Sequence, residues 1–217
     1  MSNMGDLSQS RQGQQVFRPL VAFDFDGTLT HKDSFLAFLA WRAGARRYAT
    51  GLIKLTPAAA AYAVNRDRGR IKARAVREFL SGTPLATLEE DASRYATHVA
   101  RSLLRPDAVG CWRRWQAQGA RLVIVTASPE QVVAPFARSL GADTLIGSRL
   151  ALDAEGRITG ELDGANCRGA EKVRRLREVF GPEVQLEAAY GDTDGDKEML
   201  ELAEEKGMKV FSGTARK

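Results

Sequence analysis

Residues 20–28 read LVAFDFDGT, a short apolar run of strand-forming residues that ends in two acids and an Asp-Gly pair. Such a run, here over Leu20–Phe25, predicts a buried parallel strand that leads into a loop. Asp24 and Asp26 lie two residues apart at its end, and Gly27 permits the chain to turn there. We therefore expect a parallel sheet whose first strand delivers two carboxylates to one edge.

The remainder of the chain divides into a helical block and a segment in which helices and strands alternate. The block runs from Ser34 to about Arg105 without a strand signal, and it is too long to be a loop. The later elements are predicted as strands at Arg121–Thr126, Thr144–Ser148, Leu186–Gly191 and Met208–Phe211, helices to Gln118, over Glu130–Leu140, over Ala170–Phe180 and to about Lys206, and a hairpin around Ala154–Gly156.

This order predicts the α/β class: a doubly wound, Rossmann-like parallel-sheet core with right-handed crossovers, an inserted all-helical cap and a small β-hairpin. The predicted core comprises residues 18–33 plus 106–217, and the predicted cap comprises residues 34–105. Residues 1–17 are polar and lack the apolar run of a signal peptide, so we expect a flexible tail.

Composition indicates a globular protein of a reducing compartment. The chain has 217 residues, of which 44% are hydrophobic. Cys111 and Cys167 lack the paired spacing of a zinc site or a redox motif, which argues against a disulfide framework and a metal–thiolate cluster. We therefore expect a cytoplasmic protein.

The positive charge is concentrated in the predicted cap. The net charge is +5, and the segment from Trp41 to Glu78 holds ten basic and two acidic residues. Such a segment is either a solvated helical surface or a face for an anionic partner.

Tyr48–Asn65 carries one charge, but Gly51 and Pro57 favour a pair of cap helices over a membrane span. Peripheral contact of the basic cap with the inner membrane face stays open. Nucleic acid is not expected, because the segment has no aromatic platform pattern, and no pattern predicts an oligomeric state.

Several polar residues follow or lie just beyond the predicted strands. Because a doubly wound sheet gathers the carboxyl ends of its strands into one crevice, residues distant in sequence are expected to meet there. Carboxylates are hard ligands that suit Mg²⁺, whereas an ammonium and a hydroxyl bind phosphate oxygens. The residues concerned are Asp24, Asp26, Thr126, Lys172, Asp192 and Asp196.

Each motif alone has a structural alternative. The acids of the first motif could form an Asx turn, and Thr126 could precede a helix with Ser128 as N-cap. Lys172 could be a surface lysine. The loop 192–196, DTDGD, is more diagnostic, because its concentrated negative charge is unfavourable without a cation. A calcium loop of helix-loop-helix type is excluded by spacing, since Lys197 and Ala203 stand where glycine and glutamate are required.

Together, DFDGTLT, VTAS, the GAEKV context of Lys172 and YGDTDGDKEML resemble the four ordered motifs of the haloacid dehalogenase-like (HAD) hydrolase superfamily. The helical insertion after the first motif resembles the cap of subfamily IB, the branch of phosphoserine phosphatase and of phosphatidylglycerophosphatase C-like enzymes. THKDSFLAFL and TASPEQVV look closer to less characterised members than to phosphoserine phosphatase itself.

The resemblance implies a Mg²⁺-dependent phosphomonoester phosphatase that works through a covalent aspartyl-phosphate. Asp24 would be the nucleophile, and Asp26 the general acid and base. The implied phosphate-binding residues are Thr126, Ala127, Lys172, Gly27 and Thr28; the implied metal residues are Asp24, Asp26 (through its carbonyl), Asp192 and Asp196. The cap would set specificity through Asp33, Arg70 and Arg74, with Lys72 in the same basic stretch that is expected to reach into the cleft; Asp33 falls where phosphoserine phosphatase carries a glutamate.

The expected substrate is a small phosphorylated metabolite or a lipid phosphate. The alternatives within the class are a lipid phosphate phosphatase at the membrane surface and a phosphoserine phosphatase. A different class, a signalling domain that keeps a long-lived phospho-aspartate, fits less well, because its acceptor follows a middle strand and this chain has no aspartate there.

Overall fold

The computed structural model describes residues 18–65 and 68–214, and it describes no side chains over residues 56–71. The expected tail, residues 1–17, lies outside the described residues. A five-stranded parallel sheet of order β3-β2-β1-β6-β7 forms the centre of the fold. Its strands are β1 (Leu20–Phe23), β2 (Arg121–Pro129), β3 (Thr144–Ser148), β6 (Leu186–Gly191) and β7 (Ala203–Met208). The predicted α/β class with a doubly wound sheet is confirmed.

Seven helices and a hairpin accompany the sheet in the described part of the chain. The helices are α1 (Ser34–Asn65), α2 (Arg68–Leu80), α3 (Leu85–Leu103), α4 (Pro106–Ala117), α5 (Glu130–Leu140), α6 (Ala170–Phe180) and the short α7 (Lys197–Leu200). The antiparallel pair β4 (Leu150–Leu152) and β5 (Ile158–Leu162) forms the predicted hairpin. None of the described helices is both long enough and apolar enough to cross a membrane.

Side chains of the sheet alternate between two hydrophobic clusters, one on each face. In β1, Val21 and Phe23 belong to the cluster that includes Trp112 of α4 and Phe136 of α5, whereas Ala22 belongs to the cluster that includes α6 and α7. This alternation is the two-residue period of a strand buried on both faces. The central strands of the sheet are therefore covered by helices on both sides.

The chain order places the crevice of the sheet between β1 and β6. From β1 the chain builds outward through β2 and β3, and then it crosses to build β6 and β7 on the other side. Ligands of open α/β sheets bind where the order reverses in this way, at the carboxyl ends of the strands. The residues directly after β1 and β6 are therefore the first candidates for a site.

The helices α1–α3, here called the helical insertion, leave and rejoin the core at one place. Thr30 forms an antiparallel bridge with Leu104. The N–H of His31 donates to the carbonyl of Leu103 at 3.1 Å, and the N–H of Arg105 donates to the carbonyl of Leu29 at 2.8 Å. The two connections between insertion and core are thus paired to each other. We call this bridge the neck.

The insertion departs from the predicted pair of helices over Tyr48–Asn65. The break lies earlier, at Gly44, which has a positive φ of 73°, and the chain then follows one helix to Asn65. Gly51 lies within this helix, and the Phe79 ring of α2 packs so closely that a Cβ at Gly51 would lie 2.2 Å from it. Glycine therefore serves here for close packing of two helices.

The prediction for the last two elements was wrong. We expected a helix to about Lys206 and a strand at Met208–Phe211, but α7 ends at Leu200 and β7 occupies Ala203–Met208. The sequence AEEKGM looks helical because the strand lies at the sheet edge, where its glutamates and lysine are exposed. Gly207 marks the strand, since a Cβ there would lie 2.2 Å from the ring of Tyr190 on β6.

Candidate active site

The first motif folds into a tight turn beyond β1. The N–H of Asp24 donates to the carbonyl of Tyr190 at 2.8 Å, which continues the β1–β6 pairing by one residue. Gly27 then turns the chain with a φ of 87°. A Cβ at Gly27 would lie 2.2 Å from Oδ2 of Asp192, so glycine is required both by the turn and by the approach of that carboxylate. The loops after β1 and β6 therefore lie in direct contact.

Lys172 occupies the centre of the site. Its Nζ donates to Oδ1 of Asp24 at 2.6 Å, to Oδ1 of Asp196 at 2.7 Å and to the carbonyl of Val125 at 2.6 Å. The side chain is almost fully buried. Burial alone would lower the pKa of Lys172, but the charges of Asp24 and Asp196 raise it above its usual value. Lys172 is therefore a permanent ammonium held by carboxylates from two loops.

Three carboxylates cluster beside this ammonium. One oxygen from each of Asp24, Asp192 and Asp196 lies within 4.8 Å of the others. Burial raises the pKa of Asp24 to about 7, against the opposing effect of Lys172. Burial also acts to raise the pKa of Asp196, but Lys172 and Thr193 bring it below its usual value. A set of closely spaced carboxylate oxygens matches the hard donors that Mg²⁺ requires.

Asp196 also shapes the loop that follows β6. Its Oδ2 accepts hydrogen bonds from the N–H of Thr193 at 2.9 Å, from the Thr193 hydroxyl at 3.0 Å and from the N–H of Asp192 at 3.2 Å. The other oxygen contacts Lys172. Asp196 thus fixes the backbone that carries Asp192 and at the same time pairs with the buried ammonium.

Asp26 lies outside the carboxylate cluster and has a separate environment. Its Oδ1 accepts the N–H of Ser34, the first residue of α1, at 2.7 Å, and its Oδ2 accepts the hydroxyl of Ser128. Both oxygens are thus directed by donors, one from the helical insertion and one from the end of β2. Asp24 and Asp26 lie on the same cavity but have different partners.

The other predicted phosphate-binding residues lie around Asp24 with unequal access. The Thr28 hydroxyl donates to Oδ2 of Asp24 at 3.3 Å. Ala127 and Gly27 line the cavity. Thr126 is fully buried, and its hydroxyl oxygen accepts the N–H of Ser128 at 3.0 Å. The structure therefore brings all of them to the carboxyl ends of the strands, but it does not place the Thr126 side chain on the cavity wall.

A cavity of about 570 Å³ opens above these residues. Asp33, predicted to contribute to specificity, lines it. Arg74 does not line it and is exposed, whereas the side chain of Arg70 lies outside the described residues. Lys72, the middle residue of the predicted basic stretch, lines the cavity, and its ammonium stands 5.7 Å from the ring centre of Phe35.

Two arginines that the sequence analysis did not single out, and Ser128, which it considered only as a helix N-cap, contribute to the site. Nε of Arg105, at the neck, donates to the carbonyl of Gly27 at 3.2 Å. Arg168 donates to the hydroxyl of Thr193 at 3.2 Å and lies against Gly195. Ser128 does not cap α5, since the helix begins at Glu130 with Pro129 as its N-cap. Their positions in the sequence could have indicated a role at the site, because each of these residues lies close to a motif or to the neck.

Known proteins resemble this chain over most of its length. Residues 21–201 match the family described as haloacid dehalogenase-like hydrolase. Protein CicA of Caulobacter vibrioides is 61% identical over 210 residues, which cover 95% of this chain and 94% of that protein. A phosphoserine phosphatase of Halobacterium salinarum is 31% identical over 189 residues, covering 85% and 82% of the two chains. A crystal structure of a protein with unknown function from Bordetella pertussis Tohama I has a TM-score of 0.70 and 25% identity, covering 85% and 86%.

Proposed function

Since this chain belongs to the haloacid dehalogenase-like hydrolase family, we propose that it is a Mg²⁺-dependent phosphatase of phosphomonoesters that works through a covalent aspartyl-phosphate. One observation carries the proposal: Lys172 and the carboxylate cluster surround Asp24 at the floor of an open cavity. A buried nucleophilic carboxylate beside a fixed cation suits the transfer of a dianionic phosphoryl group.

In the first half of the reaction, a carboxylate oxygen of Asp24 attacks phosphorus and the bond between phosphorus and the ester oxygen breaks. Asp26 gives its proton to the leaving oxygen, so an alcohol departs and Asp26 becomes a carboxylate. The Lys172 ammonium, 2.6 Å from Asp24, offsets the negative charge on the transferring group. The position of Asp26 on the same cavity supports this division of roles.

In the second half, the Asp26 carboxylate takes a proton from water as the water oxygen attacks phosphorus. The bond between phosphorus and the Asp24 oxygen then breaks. Inorganic phosphate leaves, Asp24 returns to its carboxylate form, and Asp26 is protonated again. Protons are therefore balanced over the two halves of the reaction, and water is the only reactant besides the phosphate ester.

Asp24, Asp192 and Asp196 would hold the metal, with Asp196 also fixing the loop that presents Asp192. Bound there, Mg²⁺ would supply electrostatic stabilisation of the phosphoryl oxygens. The carbonyl of Asp26 is proposed as a further ligand. Two loops from β1 and β6 would thus be joined by one cation.

We further propose that residues 34–105 act as a cap that sets the substrate, over a core of residues 18–33 and 106–217. The cavity wall supports this, because Phe35, Leu36 and Lys72 of the insertion face core residues across the space. Asp33 lines the same wall, and a relative is named phosphoserine phosphatase. Phosphoserine is therefore a substrate to test beside lipid phosphates, which would be presented in detergent.

The test is the release of inorganic phosphate from p-nitrophenyl phosphate with Mg²⁺ and with EDTA. We expect Mg²⁺-dependent turnover, and a fall of at least about a thousandfold in kcat for Asp24→Asn. Asp194→Asn is the matched control, because Asp194 lies in the same acidic loop but is exposed and pairs with Lys197 at 2.9 Å. Undiminished turnover by Asp24→Asn, or equal losses in both variants, would overturn the proposal.

A further inference from the structure

The hydroxyl of Ser128 connects the helical insertion to Asp26. Ser128 is fully buried and follows Thr126 at the end of β2. Its hydroxyl meets Oδ2 of Asp26 on one side, and Nζ of Lys72 lies 3.2 Å away on the other. The three groups therefore form a hydrogen-bonded series that runs from Lys72 on α2, through Ser128, to Asp26, the proposed general acid and base.

The direction of the hydrogen bonds in this series is fixed by chemistry. A lysine ammonium can only donate, so the Ser128 oxygen accepts from Lys72. The hydroxyl proton is then left to donate to Oδ2 of Asp26. Since Oδ1 of Asp26 already accepts the N–H of Ser34, the carboxyl plane is set at both oxygens. The Ser128 hydroxyl would be oriented by Lys72 of the helical insertion.

The backbone around Ser128 allows little adjustment. Pro129 pairs with Ser148 on β3, and a Cβ at Gly147 would lie only 2.9 Å from the carbonyl oxygen of Ser128. The N–H of Ser128 donates to the Thr126 hydroxyl at 3.0 Å. The serine is therefore held by close backbone contacts at the point where the β2–β3 register shifts between Val125 and Pro129, and such contacts favour a fixed orientation of its side chain.

We infer that Ser128 is a positioning residue that aims the Asp26 carboxyl at the leaving oxygen, and that Lys72 sets the direction of the Ser128 hydroxyl. This inference rests on the proposed function of Asp26. Lys72 lines the cavity beside Phe35, so its contact with Ser128 links occupation of the substrate space to the orientation of the acid. Neither residue bonds to phosphorus or donates the proton to the leaving group.

The test uses the dependence of rate on the leaving group. Proton donation matters most for a poor leaving group, so we compare kcat/KM for phenyl phosphate with kcat/KM for p-nitrophenyl phosphate, whose leaving group is better. For Ser128→Ala we expect a loss of about tenfold or more with phenyl phosphate and of about threefold or less with p-nitrophenyl phosphate. Lys72→Met should shift the same ratio in the same direction by a smaller factor.

Ser148→Ala is the matched control. Ser148 is also a buried serine at a strand end, but its hydroxyl lies 2.9 Å from the carbonyl oxygen of Ala127 and 2.9 Å from Oδ1 of Asn166, and it makes no contact with Asp26 among the hydrogen bonds of the described residues. A purely structural effect would lower both rates by the same factor, which is the expectation for this variant. The inference is overturned if Ser128→Ala keeps the wild-type ratio. If that variant does not fold, an unchanged ratio in Lys72→Met overturns it.

The two failures can be distinguished. A wild-type protein that hydrolyses neither aryl phosphate with Mg²⁺ refutes the proposed function, and the inference with it. A wild-type protein that hydrolyses both, together with a Ser128→Ala variant of unchanged leaving-group ratio, refutes only the role given to Ser128.

Discussion

Removal of the buried ammonium by Lys172→Met should destabilise the metal-free protein. Methionine fills a similar volume but leaves Asp24 and Asp196 without the cation that contacts them at 2.6 and 2.7 Å. At an effective dielectric constant of about 20, each pair is worth ~6 kcal/mol of gross Coulomb energy. The cost of burying the ammonium offsets much of this, and breaking such a buried pair costs about 3–5 kcal/mol net.

The assay is thermal and urea unfolding in EDTA, followed by the same measurement with Mg²⁺. For a chain of this size, the expected loss lowers Tm by about 6–20 °C. The stability difference between Lys172→Met and the wild type should shrink at low pH, because protonation of Asp24 and Asp196 removes the unpaired negative charges. Mg²⁺ should also narrow the gap, since a divalent cation at the carboxylate cluster replaces part of the missing positive charge.

Lys197→Met is the control for this experiment. Lys197 pairs with Asp194 in the same region, but the two side chains are 64% and 85% exposed, so the loss of stability should be small compared with that of Lys172→Met. The reasoning is refuted if Lys172→Met unfolds within about 1 kcal/mol of the wild type in EDTA, or if Mg²⁺ leaves the gap unchanged.

Two further predictions concern backbone and charge. Gly27→Ala should weaken Mg²⁺ binding by about tenfold or more in calorimetric titration, because the new Cβ would displace Asp192. The control is Gly156→Ala, since Gly156 has a φ of 72° and nothing lies within 4 Å of its Cβ position, so this change should cost only ~1 kcal/mol of stability. Equal Mg²⁺ affinities in the two variants would contradict this prediction. Hydrogen bonds from Arg174 lead the effects that lower the pKa of Glu171 from 4.5 to about 2, against burial and with help from Arg175. A carboxyl group with a depressed pKa stabilises the fold above about pH 4.5, and this stabilisation is lost as pH falls towards 2. Glu171→Gln should therefore be ~1–3 kcal/mol less stable than the wild type at pH 7 in urea unfolding. A stability difference that does not shrink on acidification would disprove the role given to Glu171.

The sequence predicted the strands that carry the site because they are buried on both faces. LVAF and LVIV are apolar throughout, and LEAAYG carries one charged residue, Glu187, so the carboxyl ends of all three could be identified from the sequence. The rule that parallel strands end at one edge then brought the loops of Asp24 and Asp192 together. Lys172 lies at the start of α6, after the antiparallel hairpin, so its place beside Asp24 followed from the resemblance of the motifs and not from this rule. The edge strand β7 lacks this signal, since only pairing with β6 distinguishes AEEKGM from a helix.

The side chains on the cavity were harder to predict. Lys72 and Arg74 are two positions apart on α2, which turns them about 200° from each other. Lys72 shares a face with the buried Val76 and Phe79, at spacings of four and seven residues, and this signal separates it from Arg74 within the basic stretch that was predicted to reach into the cleft. No local pattern could reveal the contact between Ser128 and Asp26, because it depends on the register of two strands joined by the whole insertion.

The neck has a consequence for how such proteins diversify. Because Thr30 and Leu104 are bridged, the segment between them begins and ends at nearly the same point in space. Neither the sheet nor the carboxylate cluster spans that gap, so the core does not depend on the length of what is inserted. An insertion of another length could therefore be accommodated at the neck while the pairing of the sheet strands stays intact.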